Sequence, residues 1–330
     1  MNPNQKSEIR NLKSHGFTLV ELLVVIVIIG ILVGLIVAAV IPARNKARNA
    51  AVSIEINQLD SALKAYKLKY GAYPPDFVGI NHPTPAVQTA ARALVIRHLR
   101  KVFPRYDLGS NPWTTFHDHL MLATGDPSDG SGGLNINDVN FALTPGSALA
   151  FWLGGIPARE DATSSTTLVG FSANPAKPFE NITSRLPPLF EFDDTRLSVS
   201  YNSNGYPTNW PEYSPSVSAG NAAMPYVYFR ARGGAYDATN QMAPDAAYSA
   251  FTEDGVAIRV RPYQVATDNG TTWDRVRWMK PNSFQIICAG LNGQYGSKYY
   301  LPIGNGRVGT GTEFDNLTNF SGGILEDMEQ

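Results

Sequence analysis

Polar and apolar positions change rhythm several times along this chain. A short polar leader gives way at Phe17 to the run FTLVELLVVIVIIGILVGLIVAAVIPA, in which Glu21 is the only ionisable side chain. As a helix, residues 17–41 would extend roughly 37 Å at about 1.5 Å per residue, enough to cross a bilayer with some tilt. A helix in a soluble core rarely stays apolar on every face for so long. Val24, Val25, Ile26, Val27, Ile28 and Ile29 are poor helix formers in water, but lipid forces the backbone to bond internally and makes helix the open-chain solution. The apolar region of a secretory signal peptide is about 7–15 residues, shorter than this run. Lys6, Arg10 and Lys13 precede it and Arg44, Lys46 and Arg48 follow, so charge alone leaves its orientation open.

Past Pro42 the composition turns polar while a helical period persists. Val52, Ile56, Leu59, Leu63, Tyr66 and Tyr70 share one face, with Glu55, Asp60, Lys64 and Lys67 mostly on others. Gly71 supplies a C-cap and Tyr73-Pro74-Pro75 stops the helix. One helix from 17 to about 70 would measure roughly 80 Å. A second amphipathic helix is expected over 85–103, with Ala91, Val95, Leu99, Val102 and Phe103 on one face and Arg97, Arg100 and Lys101 opposite. Residues 135–155 read as a short helix, an interruption at Pro145-Gly146 and a second apolar helix. Strands are expected at 189–192, 197–201, 226–230, 256–260 and 283–289, with Asp193-Asp194 in a hairpin turn. Without long helices between them, these strands predict an antiparallel sheet.

Composition narrows the chemistry. With 27 basic and 28 acidic side chains the formal charge is -1, so any polyanion contact has to be local. One block qualifies: no acid occurs between Asp76 and Asp107, whereas Arg92, Arg97, Arg100, Lys101 and Arg105 do. Such a block serves DNA, an acidic surface or a neighbouring subunit, or is a solvated helix face. The lone Cys288 excludes an internal disulfide and any multi-thiolate zinc site. With 29 Gly and 23 Pro in 330 residues, the body is loop-rich rather than a bundle.

Glu21 is the sharpest feature. A carboxylate inside an apolar span costs several kcal/mol unless neutralised or placed at headgroup depth. Its setting, His15-Gly16-Phe17-Thr18-Leu19-Val20-Glu21-Leu22 after a basic leader, resembles the class III signal of type IV pilins and type II secretion pseudopilins. LDSALKAYKLKYGAYPP at 59–75 is similar to the helix end of major pseudopilins, and SFQIICAGLNGQYG at 283–296 to their final strand and loop. The resemblance implies a cytoplasmic leader cut by prepilin peptidase after Gly16, with methylation of the new N-terminal Phe17. It also implies that Glu21 neutralises the Phe17 amine of a neighbouring pilin or pseudopilin subunit and so sets axial register. Gly30, Gly34 and Ala38 form a small-residue stripe for close helix packing. Pro42, the expected kink, stands about one turn later than the resemblance leads one to expect. Family members often hold calcium in the loop after the final strand and staple the region with a disulfide. Here Asn292 replaces a carboxylate and Asp315-Asn316 offers one acid, too few oxygens for Ca²⁺ to be assigned.

Other motifs do not assemble into chemistry. Gly304-x-Gly306-x-x-Gly309 lacks the strand and helix of a dinucleotide site. His117 and His119 would share one side of an extended segment but lack a third ligand. Cys288 alternates with Phe284 and Ile286 as a core residue. The expected fold is α+β and pilin-like, a long N-terminal helix with a transmembrane half and an amphipathic half packed on an antiparallel β-sheet head with insertions. Its parts are leader 1–16, transmembrane and assembly helix 17–42, amphipathic continuation 43–71, and a periplasmic or extracellular head 72–330, enlarged over 81–281. The expected role is a structural subunit, not an enzyme, with no cofactor. It would reside in the bacterial inner membrane and then in a pilus or type II secretion pseudopilus. The other reading is a membrane-tethered binding or catalytic ectodomain on the same anchor. Removal of 1–16 takes away three bases and one acid, so -1 becomes -3 in the mature chain.

Overall fold

The computed structural model describes residues 17–123, 143–158, 167–199, 209–216, 224–236, 249–253, 256–265, 277–295, 300–301 and 315–325. The chain divides into two compact units, Met1–Ala47 and Arg48–Gln330. Helix α1 is Leu19–Tyr70.

In the first unit every residue from 17 to 47 is exposed. The apolar part of α1 is long and apolar enough to cross a membrane, and among the described residues nothing in the protein shields it. Pro42 lies within the helix; lacking an N–H, it leaves the Ala38 carbonyl without its i+4 donor.

In the second unit the rest of α1 buries Val52, Ile56, Leu59, Ala62, Leu63 and Tyr66, as the spacing predicts, with Tyr70 half-buried. Gly71 adopts φ 71° and its N–H donates to the Lys67 carbonyl at 2.7 Å, the expected left-handed cap. Helix α2 is Pro85–Val102, with proline at its first turn. Its Ala91, Val95, Ile96 and Leu99 are buried while Arg97, Arg100 and Lys101 are exposed. Helix α3, Pro112–Ala123, corrects the extended reading of 117–119: Phe116, Leu120 and Ala123 are buried at i, i+4, i+7, a helical period.

The strands are β1 Leu197–Ser198, β2 Glu212–Tyr213, β3 Val227–Arg230, β4 Ser249–Glu253, β5 Val256–Arg259, β6 Gln264–Val265, β7 Arg277–Trp278, β8 Phe284–Cys288, β9 Tyr300–Leu301 and β10 Leu317–Thr318. They form four small sheets, β1-β2, β10-β8-β3, β4-β5 and β7-β6-β9. All pairs are antiparallel except β6 with β9, which is parallel. The architecture is α+β, a long N-terminal helix followed by small antiparallel sheets, consistent with a pilin-like fold. The segment 189–192 is not a strand: Leu189 N–H bonds to the Leu153 carbonyl, and Phe190 and Phe192 pack on Tyr213. Asp193 is not in a hairpin turn either; it caps a 3₁₀ turn, Asp194–Arg196, by accepting from the Thr195 N–H at 3.0 Å. Of the strand expected over 197–201 and the helix expected from 135, residues 200–201 and 135–142 lie outside the described residues.

The central sheet is buried on both faces. Tyr226, Tyr228, Phe284, Ile286 and Cys288 join a core with Leu59, Leu63 and Tyr66 of α1. Alternate residues Val227, Phe229, Ile287 and Ala289 meet a second core containing Tyr236, Val260, Tyr263 and Trp278. This explains why β8 reads as continuous FQIIC rather than alternating. Its one polar residue, Gln285, bonds with its amide to Tyr263 N and O at 2.6 and 3.0 Å and to Met279 O at 2.9 Å. The apolar stretch after Pro145 becomes a buried π-helix, Ala150–Gly154, whose Trp152 donates to the Pro75 carbonyl at 2.9 Å.

Candidate functional site

In the first unit the site is the head of α1. Thr18 Oγ1 accepts from Glu21 N–H at 3.2 Å, while Glu21 Oε2 accepts from Thr18 N–H and from Thr18 Oγ1, each at 2.9 Å. The first helical bond runs from Leu22 N–H to the Thr18 carbonyl at 3.2 Å. This is a reciprocal capping box, satisfying donors that a helix start otherwise leaves open. Thr18 is a residue the sequence reading passed over, although T-x-x-E was visible as its signature. Both of these carboxylate bonds fall on Oε2, and an ionised carboxylate has about four acceptor positions. Glu21 can therefore cap its own helix and still receive a third, charged donor.

Phe17 precedes this box and is 82% exposed. Gly16 and the leader lie outside the described residues. Gly30, Gly34 and Ala38 fall on one exposed face of α1 at four-residue spacing. A Cβ built on Gly30 or Gly34 would meet nothing within 4 Å, so within one copy no contact requires glycine there.

In the second unit the polar groups are structural in their bonding. Glu55, expected away from the packed face of α1, is buried instead. It accepts from Arg196 at 2.9 Å and through a second, shorter bond, from Tyr213 OH at 2.8 Å and from Tyr226 OH at 2.6 Å. Burial above all, with the nearby thiol of Cys288 and Glu55 next, holds the Tyr226 hydroxyl well above its ordinary pKa, so it is a lasting neutral donor. Asp76, also buried, accepts from Arg230 N–H at 2.9 Å and from Arg232 at 3.2 Å. Burial raises Glu212 to about 8, against opposing bonds from Thr144 and Asn209; Thr144 Oγ1 donates to it at 2.7 Å. His98 is pushed down to about 3 by burial and by the charges of Arg230 and Lys101, so a neutral ring meets Tyr66 OH at 2.9 Å.

The remaining candidates separate. His117 and His119 sit two apart on α3, about 200° around the helix, and His119 Nδ1 is 2.8 Å from Tyr106 OH. Cys288 is buried and burial pushes its thiol up to about 12, the opposite of a nucleophile's environment. Asp315 Oδ2 accepts from Asn292 N–H at 2.9 Å, and Asn316 Nδ2 donates to Tyr263 OH at 2.7 Å and to the Tyr295 carbonyl at 3.0 Å. Among the described residues no group of three or more His, Cys, Asp or Glu side chains could hold a metal ion. The Gly304, Gly306 and Gly309 motif lies outside the described residues. Of the basic block, Arg92 is used internally: its Nε donates to the Ile80 carbonyl at 2.9 Å and its guanidinium lies 4.8 Å from the Trp113 ring centre.

Residues 11–37 match the family model described as the prokaryotic N-terminal methylation motif. The match spans Gly16, Phe17, the Thr18–Glu21 box and the small-residue stripe as far as Gly34, and is consistent with a class III prepilin leader. No curated protein and no solved structure matches the chain.

Proposed function

We propose that this chain, which carries a prokaryotic N-terminal methylation motif, is a type IV pilin-like or pseudopilin structural subunit and not an enzyme. Prepilin peptidase cuts it after Gly16 and methylates Phe17. With the leader cytoplasmic and the head outside, it rests in the inner membrane before joining other pilin or pseudopilin subunits in a pilus or type II secretion pseudopilus. The observation that carries this reading is the pairing of the motif with a helix exposed over residues 17–47. Such a surface needs lipid in the free subunit and neighbouring helices in a filament. Close approach of those helices is served by the open faces of Gly30 and Gly34. Glu21 then contributes register, because a desolvated carboxylate that fails to meet its neighbour's Phe17 amine is left uncompensated.

The test is intact mass and N-terminal analysis of the protein from native membranes, followed by assembly of Glu21→Ala. The reading requires a chain beginning at methylated Phe17 and a loss of assembled material in the variant. An intact Met1, a cut near Ala43, or wild-type assembly of Glu21→Ala would overturn it. The size and separate core of the Arg48–Gln330 unit favour a second reading, a tethered binding or catalytic ectodomain. Mature protein that never sediments as filaments would select it.

A further inference from the structure

Between Glu21 and Arg44 the sequence runs from Leu22 to Ala43 without an ionisable side chain. At about 1.5 Å per residue that stretch is about 33 Å long. A hydrocarbon core of about 30 Å takes up this length at the ordinary helix tilt of about 20°. A span seated in this way brings Glu21 to one headgroup layer and Arg44 to the other.

Arg44 and Lys46 are exposed, like the whole of the stretch before them. Among the described residues every ion pair joins other side chains. No acid occurs between Glu21 and Glu55, and Glu55 is taken up by Arg196. Two residues apart, the two bases stand about 200° around α1, so each side of the helix presents a cation. Membrane topology does not account for them. Lys and Arg normally gather on the cytoplasmic flank of a span, a place filled here by Lys6, Arg10 and Lys13 of the leader. With the head outside, Arg44 and Lys46 occupy the flank where such bases are disfavoured. What that depth does contain is lipid phosphate, and the long stems of Arg and Lys carry charge to it while their methylenes stay against the apolar boundary.

We infer that Arg44 and Lys46 form a cationic collar that binds the phosphates of anionic phospholipids in the head-side leaflet and fixes the depth of α1 in the free subunit. The inference rests on the proposed function, which places the subunit in a membrane before it assembles. At the same depth Glu21 sits in the opposite headgroup layer, where its carboxylate stays hydrated. Desolvation of Glu21 then belongs to assembly and not to insertion.

The test titrates phosphatidylglycerol, and separately phosphatidylcholine, into the full chain in a neutral detergent and reads retained lipid by native mass spectrometry. Each base near an anionic surface contributes up to about fivefold, so R44Q/K46Q is expected to bind phosphatidylglycerol about tenfold more weakly or worse, with phosphatidylcholine unchanged. R44K/K46R should keep wild-type affinity, which ties the effect to charge and not to folding. R97Q/R100Q on α2 should also keep it. The leader bases are present in every chain and cancel in the comparison. Excess inorganic phosphate should not displace the lipid; displacement would mark a free-phosphate site and overturn the collar. Equal retention of the two lipids by the wild type, unchanged binding in R44Q/K46Q, or loss of binding in R97Q/R100Q would overturn it as well. In each of these cases Glu21-dependent assembly would leave the proposed function standing. A wild-type chain released from native membranes by alkaline carbonate would overturn both.

Discussion

Replacing Glu55 by leucine is expected to destabilise the Arg48–Gln330 unit more than any surface change. The carboxylate is 12% exposed and its Arg196 partner 18%. It joins the C-terminal part of α1 to residues 141, 158 and 171 positions away in sequence. Breaking a buried ion pair from one side costs about 3–5 kcal/mol, because the remaining charge is uncompensated. Arg196 is partly relieved by the Ser214 carbonyl at 3.3 Å and by Asp193 at 3.4 Å, which favours the low end. Tyr213 and Tyr226 each lose an acceptor, at about 1 kcal/mol or more apiece when buried. The sum is about 5 kcal/mol. Urea unfolding of the full chain in detergent, followed by tryptophan fluorescence from buried Trp152 and Trp210, should show a midpoint lowered by 1–2 M at a slope of about 3 kcal/mol/M. Adding Arg196→Met to the Glu55→Leu chain removes the stranded charge and should recover about half the loss, leaving the two hydroxyls. A single-variant loss below about 1 kcal/mol, or no recovery in the double variant, would refute this account of the Glu55 cluster.

The folded-state rise of Glu212 to about 8 from its ordinary 4.5 means that the stability it permits is fully present below pH 4.5 and is lost as pH climbs to 8. Glu212→Gln should therefore gain on the wild type across that window by about 1.4 kcal/mol per pH unit, about 5 kcal/mol in all; parallel stability–pH curves would rule this out. Thr18→Val removes one partner of the capping box and is expected to cost about 1 kcal/mol at the head of α1, read as about fivefold faster amide exchange at 19–22 in micelles. Unchanged exchange would mean that the box is not formed in solution. At Gly170, φ is 80° and a Cβ would stand 1.8 Å from the Leu186 carbonyl oxygen, so Gly170→Ala should cost about 3 kcal/mol or more and lower Tm by about 6 °C or more. Gly233→Ala, with φ 59° and open space, should cost only about 1 kcal/mol; equal losses at both sites would refute the steric argument.

What could be read from the sequence follows how local the cause is. Residues 17–70 were legible because both of their signals, unbroken apolarity and then the 52–56–59–63–66 spacing, are properties of one helix. The Gly71 stop and the basic face of α2 are likewise local. The capping box is equally local, since T-x-x-E spells it, but an acid within an apolar run draws attention to lipid and neighbouring subunits before the Thr18 three residues ahead of it. Position 55 illustrates the other limit. Beside the apolar stripe a glutamate reads as the edge of a wet face, and only tyrosines and an arginine from over a hundred residues downstream turn it into a buried acceptor. The same holds at 189–192, whose apolar pattern suits a strand. A strand requires a partner edge, and here Leu189 spends its N–H on the Leu153 carbonyl, beside the close Gly155 and Gly170 backbones. Periodicity reports which side of an element is dry; it does not report what that side meets. The chain divides accordingly: its methylation motif and the Thr18–Glu21 box lie within a few residues of Phe17 and are written in order, whereas its core is held by pairings that sequence order conceals.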